Sequence, residues 1–230
     1  MHIERVTAPV RQQVEDALRK EILEGELLSG QRLVERELCE KLGVSRPLIR
    51  EALRQLQAEK LVSHEPQGGM RVASVGEEEA RQLYDVRSLL EPFAASRFVE
   101  SATNAQRQAL ADSARAIEDA IRDNHVALAI KRKNEFYQIL VAGCGHEVLE
   151  QTIRGLQNRI QLLRGISMSE PGRLEHTAGE IQRIADAIAR GNPREARETC
   201  DEHLKLARTT TLAALARRRE DGVDLVMADE

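Results

Sequence analysis

The sequence is that of a mainly α-helical protein with one small β-hairpin near its N-terminus. Three observations lead there. Apolar residues recur at three- and four-residue spacing through most of the 230 residues. Ala, Leu, Glu and Arg, which lose little rotamer freedom in a helix, are frequent. With 2% aromatic residues and no Trp, the cores must be built from Leu, Ile, Val and Ala, which suits helices packed on helices.

The first helix carries Val10, Val14, Leu18 and Ile22 on one face, and Gly25 stands where a C-terminal cap belongs. Leu27 to Leu33 make a short extended or turn segment. VERELCEKLG follows as a very short helix, with Leu38 and Leu42 on one face and Gly43 ending it. Ser45 is placed as the next N-cap, its side chain expected to accept a bond from a backbone N–H, and Pro47 falls in the first turn, where proline is tolerated. The third helix buries Ile49, Ala52, Leu53 and Leu56 and exposes Arg46, Arg50 and Arg54 along another face. Leu61, Val62 and Ser63 are expected to form a strand, His64 to Gly69 a tight turn, and Met70 to Ala73 a returning strand. Helix, short helix, turn, helix, hairpin is the order of a winged helix-turn-helix, whose third helix enters a major groove. Although the net charge is −4, Lys41, Arg46, Arg50 and Arg54 face only Glu51 between positions 41 and 54, so a positive strip is expected on an acidic protein.

SVGEEEA then changes the composition and supplies a linker and a helix start whose glutamates favour the helix dipole. The expected boundary lies near Ser74–Gly76, giving a winged helix-turn-helix domain over 1–75, a helical domain over 76–220, and a frayed tail at 221–230. Beyond the boundary only helical patterns occur, at about 78–100, 104–123, 125–142, 146–167, 173–190 and 193–219. Short breaks separate them, among them GCG at 143–145 and SEPG at 169–172.

Several function classes fall away. The start does not read as a signal peptide and no run of 18 apolar residues occurs, so a cytoplasmic protein without a membrane partner is expected. Cys39, Cys144 and Cys200 are odd in number, far apart and without a CxxC. They are expected to be buried small apolar residues, not a disulfide framework or zinc site. No Gly-rich phosphate loop and no Ser, His and Asp set in recognisable context is present, nor are paired carboxylates distinguishable from an ordinary charged surface, which argues against an enzyme.

The stretch GELLSGQRLVERELCEKLGVSRPLIREALRQLQAEKLV, followed by PQGGMRV, resembles the GntR transcription regulators. LYDVRSLLEPFAA, NEFYQIL and AIARGNPREARETCDEHL are similar to the first helix, a middle helix and the last helix pair of the FadR-type subgroup, with its helical, FCD-like ligand-binding domain. The resemblance spans about residues 10–215. It implies a homodimer on palindromic double-stranded operator DNA, repressing by occlusion and responding to a small-molecule effector. The family's DNA contacts fall on Arg36, Ser45, Arg46, Leu48 and Arg50, and on Gln67 and Gly68 in the wing. An arginine binds guanine bidentately or clamps a phosphate, a serine hydroxyl bonds a phosphate, and a glycine lets backbone approach the minor groove. The family often has Thr-Pro after the Ser-Arg pair and a basic or Asn residue in the wing, where this chain has Pro47-Leu48 and Gln67. The competing readings are a solvated arginine face with local pairs such as Glu51 with Arg54, and a winged-helix protein-interaction module that binds an acidic partner instead of DNA.

Members of the subgroup often bind a divalent metal through an Asp and a His four residues apart and two later histidines. Those positions carry Lys133, Tyr137, Ile181 and His203 here, and His176 lies about 140° around a helix from Ile181. No metal and no cofactor is therefore expected. Lys133 and Tyr137 are i,i+4 on one face, so the ammonium is expected to supply the charge that a metal supplies elsewhere. Arg87 matches a family arginine facing the same cavity, and with His203 these residues are expected to hold an anionic effector, a carboxylate or acyl compound. The competing arrangement has Lys133 solvated, Tyr137 packed in the core and Arg87 bridged to Glu91.

Overall fold

In the computed structural model, which describes residues 7–65 and 69–220, the chain divides into two units, Met1–Ser74 and Val75–Glu230. The first holds α1 (Thr7–Leu23), α2 (Glu35–Leu42), α3 (Arg46–Ala58), β1 (Val62–Glu65) and β2 (Gly69–Val72). Helix α1 packs on α3, closing Val14, Leu18 and Ile22 over Ile49, Leu53 and Leu56. Val10, expected on that buried face, is 39% exposed, because the buried stripe of α1 begins one turn later, at Val14. Gly43 ends α2 in the left-handed region (φ 66), its N–H bonded to the Cys39 carbonyl, a conformation that favours glycine.

The hairpin pairs Val62 with Val72 through to Glu65 with Gly69. His64, Glu65 and Gly69 thus belong to the ladder and not to the turn, helped by an Arg71–Glu65 ion pair of 2.7 Å across the strands. Arg32 forms a further bridge to Arg71, with Leu33 N–H bonded to the Met70 carbonyl and Val72 N–H to the Gln31 carbonyl. The expected wing contacts Gln67 and Gly68 lie outside the described residues, as does the expected tail at 221–230.

The second unit comprises α4 (Glu77–Ser101), α5 (Asn104–Arg122), α6 (Val126–Ala142), α7 (Glu147–Met168), α8 (Arg173–Ala189) and α9 (Pro193–Glu220), with no strand among its described residues. Helix α4 runs along α9, and α5 packs on α6 and α8. Phe98, Ile117, Phe136, Leu140, Ile184 and Leu204 meet in one apolar cluster. Four helix starts of this unit are capped by side chains: Thr103 and Gln106 form a reciprocal capping box on α5, His125 and His146 accept from the Leu128 and Leu149 N–H groups on α6 and α7, and Asn192 accepts from the Glu195 N–H on α9. Cys144 and Cys200 are buried, whereas Cys39, expected to be so, is half-buried on the two-turn α2. No helix among the described residues is long and apolar enough to cross a membrane.

Candidate DNA-binding and effector sites

Helix α3 is amphipathic in the strict sense. Ile49, Ala52, Leu53 and Leu56 are fully buried, which turns Arg46, Arg50 and Arg54 out to solvent. Arg36 on α2 and Ser45 are also exposed, and Leu48 is half-buried. Ser45 occupies the N-cap position but makes no side-chain cap bond. A cap oxygen accepts from the second or third helical N–H. Pro47 is the second residue of α3 and has no N–H to offer, so the hydroxyl is left without one of its two targets. The Arg50 Nε donates to both Glu35 carboxylate oxygens at 2.9 and 3.0 Å, and this bond raises the guanidinium pKa. Its outer nitrogens have no partner among the described residues, nor do Arg36 and Arg46 have an ion-pair partner there. Of the local pairs that the competing reading foresees, Glu51 with Arg54 does not form among the described residues, whereas Arg50 with Glu35 does. A groove of about 590 Å³ between α3 and the hairpin is lined by Arg50, Arg54, His64 and Arg32, an arginine that sequence reasoning missed.

Within the second unit a chain of polar contacts runs through the interior. Along α4 the buried face reads Tyr84, Arg87, Glu91, Ala94, Ala95 and Phe98. Arg87 lies 4.7 Å over the Tyr84 ring and donates to Glu91 at 2.7 Å. Arg164 of α7 approaches Glu91 at 3.7 Å, donates to Asn134 at 3.1 Å and sits 4.1 Å over the Tyr137 ring. The Tyr137 ring lies 6.3 Å from that of His203, whose Nδ1 is 2.5 Å from Glu180. Arg173 clasps the same carboxylate with both outer nitrogens, at 2.9 and 2.7 Å. Lys133, one turn before Tyr137, is 1% exposed and has no hydrogen-bond or ion-pair partner among the described residues.

The structure therefore gathers Arg87, Lys133, Tyr137 and His203 into one buried region. It also makes the Arg87–Glu91 bridge, packs Tyr137 in the core, and does not leave Lys133 in solvent. Sequence reasoning missed Asn134, Arg164, Arg173 and Glu180. A signal was available: Arg164 follows Ile153 and Ile160 on the buried stripe of α7, and Arg173 precedes Thr177, Glu180 and Ile184 on that of α8. A charge on an apolar stripe marks a buried ion.

Burial disfavours charge, and neighbours decide which groups keep theirs. It works against ionisation of Glu91, but the Arg87 and Arg164 charges outweigh it and hold the carboxyl below its usual range. Burial brings Arg164 down to about 10, still charged at neutral pH. Against burial, the His203 hydrogen bond and Arg173 pull Glu180 down to about 2. Burial, with the Lys133 charge, pushes His203 down to about 3 despite Glu180. Burial and then the Arg173, Arg164 and Arg87 charges push the Lys133 amine well below the usual lysine range, with Glu180 opposing.

The four positions that take a metal in the resembling subgroup do not fit one here. Lysine, tyrosine and isoleucine are not among the His, Cys and carboxylate ligands that such sites use, which leaves the unpartnered His203 Nε2 as one ligand of four. No cluster of three or more His, Cys, Asp or Glu residues able to hold a metal occurs among the described residues. Ten buried polar atoms among the described residues of this unit instead lack a partner, among them Arg87 Nη1, Tyr137 Oη, Arg164 Nε, Arg173 Nε, Thr177 Oγ1 and His203 Nε2. Each costs about 1–3 kcal/mol when left unsatisfied, so their concentration marks a place for a polar occupant. Tyr137 also lines a pocket of about 340 Å³ between α6 and α7, which brings one side of the network to an opening.

Comparison with known proteins assigns both units. Residues 82–206 match the FCD domain family, and residues 10–72 match the bacterial regulatory proteins of the gntR family. The HTH-type transcriptional regulator YdhC of Bacillus subtilis is 26% identical over 191 residues, covering 83% of this chain and 85% of that protein. The HTH-type transcriptional repressor RspR of Escherichia coli is 26% identical over 161 residues, covering 70% and 71%. The solved structure of E. coli McbR/YncC shares the fold with a TM-score of 0.73 at 22% identity, covering 91% of this chain and 98% of that one.

Proposed function

Because this chain belongs to the gntR family of bacterial regulatory proteins and carries an FCD domain, we propose that it is a homodimeric repressor whose hold on a palindromic operator is set by a small anionic effector. It is a DNA-binding transcription regulator and not an enzyme. The reading assigns residues 1–75 to DNA and 76–220 to effector binding and dimerisation, and places the protein in the cytoplasm with its operator. The observation that carries it is the partition of basic side chains. One set, Arg36, Arg46 and Arg50, is exposed on α2 and α3 with Ser45 at the helix start and Leu48 beside it. The other set, Arg87, Lys133, Arg164 and Arg173, is buried in the second unit among unsatisfied donors, with Tyr137 and His203.

Gln67 and Gly68 complete the DNA face as wing contacts in this reading. Repression is supported by the name of RspR, a repressor with which the chain aligns over 70% of its length. Dimerisation is supported by Val86 and Leu89 on one face of α4, 37% and 72% exposed, and by arithmetic, since one short recognition helix reads too few bases to select a site in a genome. Selection of genomic fragments by the purified protein, followed by fluorescence anisotropy on the recovered duplex, tests the reading. A palindromic site should emerge, and Arg46→Ala should cost about 1–3 kcal/mol on it. Weak, sequence-blind binding that Arg46→Ala leaves unchanged would return these arginines to an ordinary solvated face.

A further inference from the structure

The groove between α3 and the hairpin lies wholly within the first unit, and its walls are cationic. Arg54 lines it from α3, Arg32 from the segment that bridges to Arg71 of β2, and His64 from β1. All three side chains are exposed, and none has a hydrogen-bond or ion-pair partner among the described residues. Glu35 is the one carboxylate among the described lining residues, and Arg50 already holds it at 2.9 and 3.0 Å. The groove therefore carries two uncompensated guanidiniums, one on each wall. Away from it the arginines of this unit are neutralised: Arg11 pairs with Glu15, Arg19 with Glu59 and Arg71 with Glu65. Unpaired guanidiniums facing one groove from two sides suit an anion that enters from outside.

The direction of α3 says which anion. Between Arg46 and Arg54 the helix rises about 12 Å, at 1.5 Å per residue. The major groove of B-DNA is about 8.5 Å deep. With the first turn of α3 at the base edges, Arg54 therefore stands level with the sugar-phosphate backbone. A hairpin turn in the adjacent minor groove and α3 in the major groove are separated by the one phosphate strand that divides those two grooves. That strand has to pass between α3 and the hairpin. Resting on the reading of α3 and the hairpin as the DNA face, we propose that this groove is a clamp for that strand. Arg54 and Arg32 each neutralise one phosphate from opposite walls, and His64 donates a further N–H. The Arg50–Glu35 pair keeps the lining carboxylate from repelling the strand. These contacts hold α3 in register on the duplex and read no sequence.

Fluorescence anisotropy of the full-length protein on the selected operator and on a scrambled duplex, from about 50 to about 200 mM salt, tests the clamp. Arg32→Ala and Arg54→Ala should each weaken both duplexes alike and flatten the slope of log affinity against log salt by about 1.8 in the proposed dimer. Over that fourfold rise in salt the wild type should then lose about twelvefold more affinity than either variant. His64→Lys places a full cation on the same wall and should steepen the slope, a gain that a damaged fold cannot produce. Wild-type slopes in both arginine variants, a loss confined to the operator, or an unchanged slope in His64→Lys each overturns the clamp, while the effect of Arg46→Ala on operator selection stands. A slope moved by Arg54→Ala alone removes Arg32 and with it the second wall. If the wild type selects no operator and Arg46→Ala changes nothing, the reading of α3 as the DNA face falls as well.

Discussion

Arg173 and Glu180 are 5% and 4% exposed and exchange two hydrogen bonds, so removing one partner strands the other charge in the interior. Arg173→Leu should cost about 3–5 kcal/mol in urea denaturation, and the double variant Arg173→Leu/Glu180→Leu should recover much of that loss. His203 gives a pH dependence with a definite sign. Its pKa is lowered from 6.5 to about 3 in the folded protein, so below 6.5 the unfolded chain takes up a proton that the folded one refuses. Glu180, lowered from 4.5 to about 2, adds a loss that begins below 4.5. Both act in one direction: the stability that these two groups contribute is full above pH 6.5 and falls with acidification, at up to about 1.4 kcal/mol per pH unit for each proton. Urea midpoints between pH 7 and 5 should decline in the wild type and flatten in His203→Gln; a rise on acidification would contradict the assignment. At this scale the sequence was half legible. Arg87, Lys133, Tyr137 and His203 were reached through motif positions, whereas Arg164 and Arg173 looked like the many arginines of solvated helix faces. Their carboxylate neighbours sit on other helices or two turns along, beyond any i,i+4 reading.

Single glycines separate positions where the helices of the second unit touch from positions where they do not. A Cβ on Gly143, which follows α6, would stand within 2.7 Å of the Phe98 ring, and Phe98 is fully buried with no room to yield. Gly143→Ala should therefore destabilise by about 1–3 kcal/mol. Gly155 lies inside α7 with nothing within 4 Å of its added Cβ, so Gly155→Ala should stabilise by about 0.5–1 kcal/mol through the unfolded chain's lost freedom. Thermal melts of the pair should move in opposite directions. The six helices of the second unit were legible to within about two residues because their periodicity and caps are local properties. The bridge from Arg32 to Arg71 was not, because pairing between distant segments leaves no mark on either one. The same holds for the strand ends, where Glu65 and Gly69 read as turn residues until the Glu65–Arg71 pair is known.

For the whole molecule, a net charge of −4 means that DNA affinity cannot come from bulk attraction and must come from the few basic residues set on one face. Arg36, Arg46 and Arg50 supply three cations per protomer. If all three met phosphates in a dimer, six neutralised phosphates would give a slope of log affinity against log salt of about −5, at roughly −0.9 each. The proposed dimer also fixes how that slope would respond to substitution. Every variant removes two contacts at once, so a phosphate-binding arginine changed to alanine should flatten the slope by about 1.8, with a similar loss on specific and scrambled duplex. A base-reading arginine should leave the slope nearly unchanged and lose the preference for the operator instead. Salt titrations of Arg36→Ala, Arg46→Ala and Arg50→Ala on both duplexes therefore sort the residues and count the subunits together. Arg50 should show the smallest effect, since its removal also releases Glu35 from an ion pair that the bound state must otherwise share with DNA. A flattening near 0.9 per variant would mean that one winged unit alone holds the duplex, and the palindromic operator would then lose its physical basis.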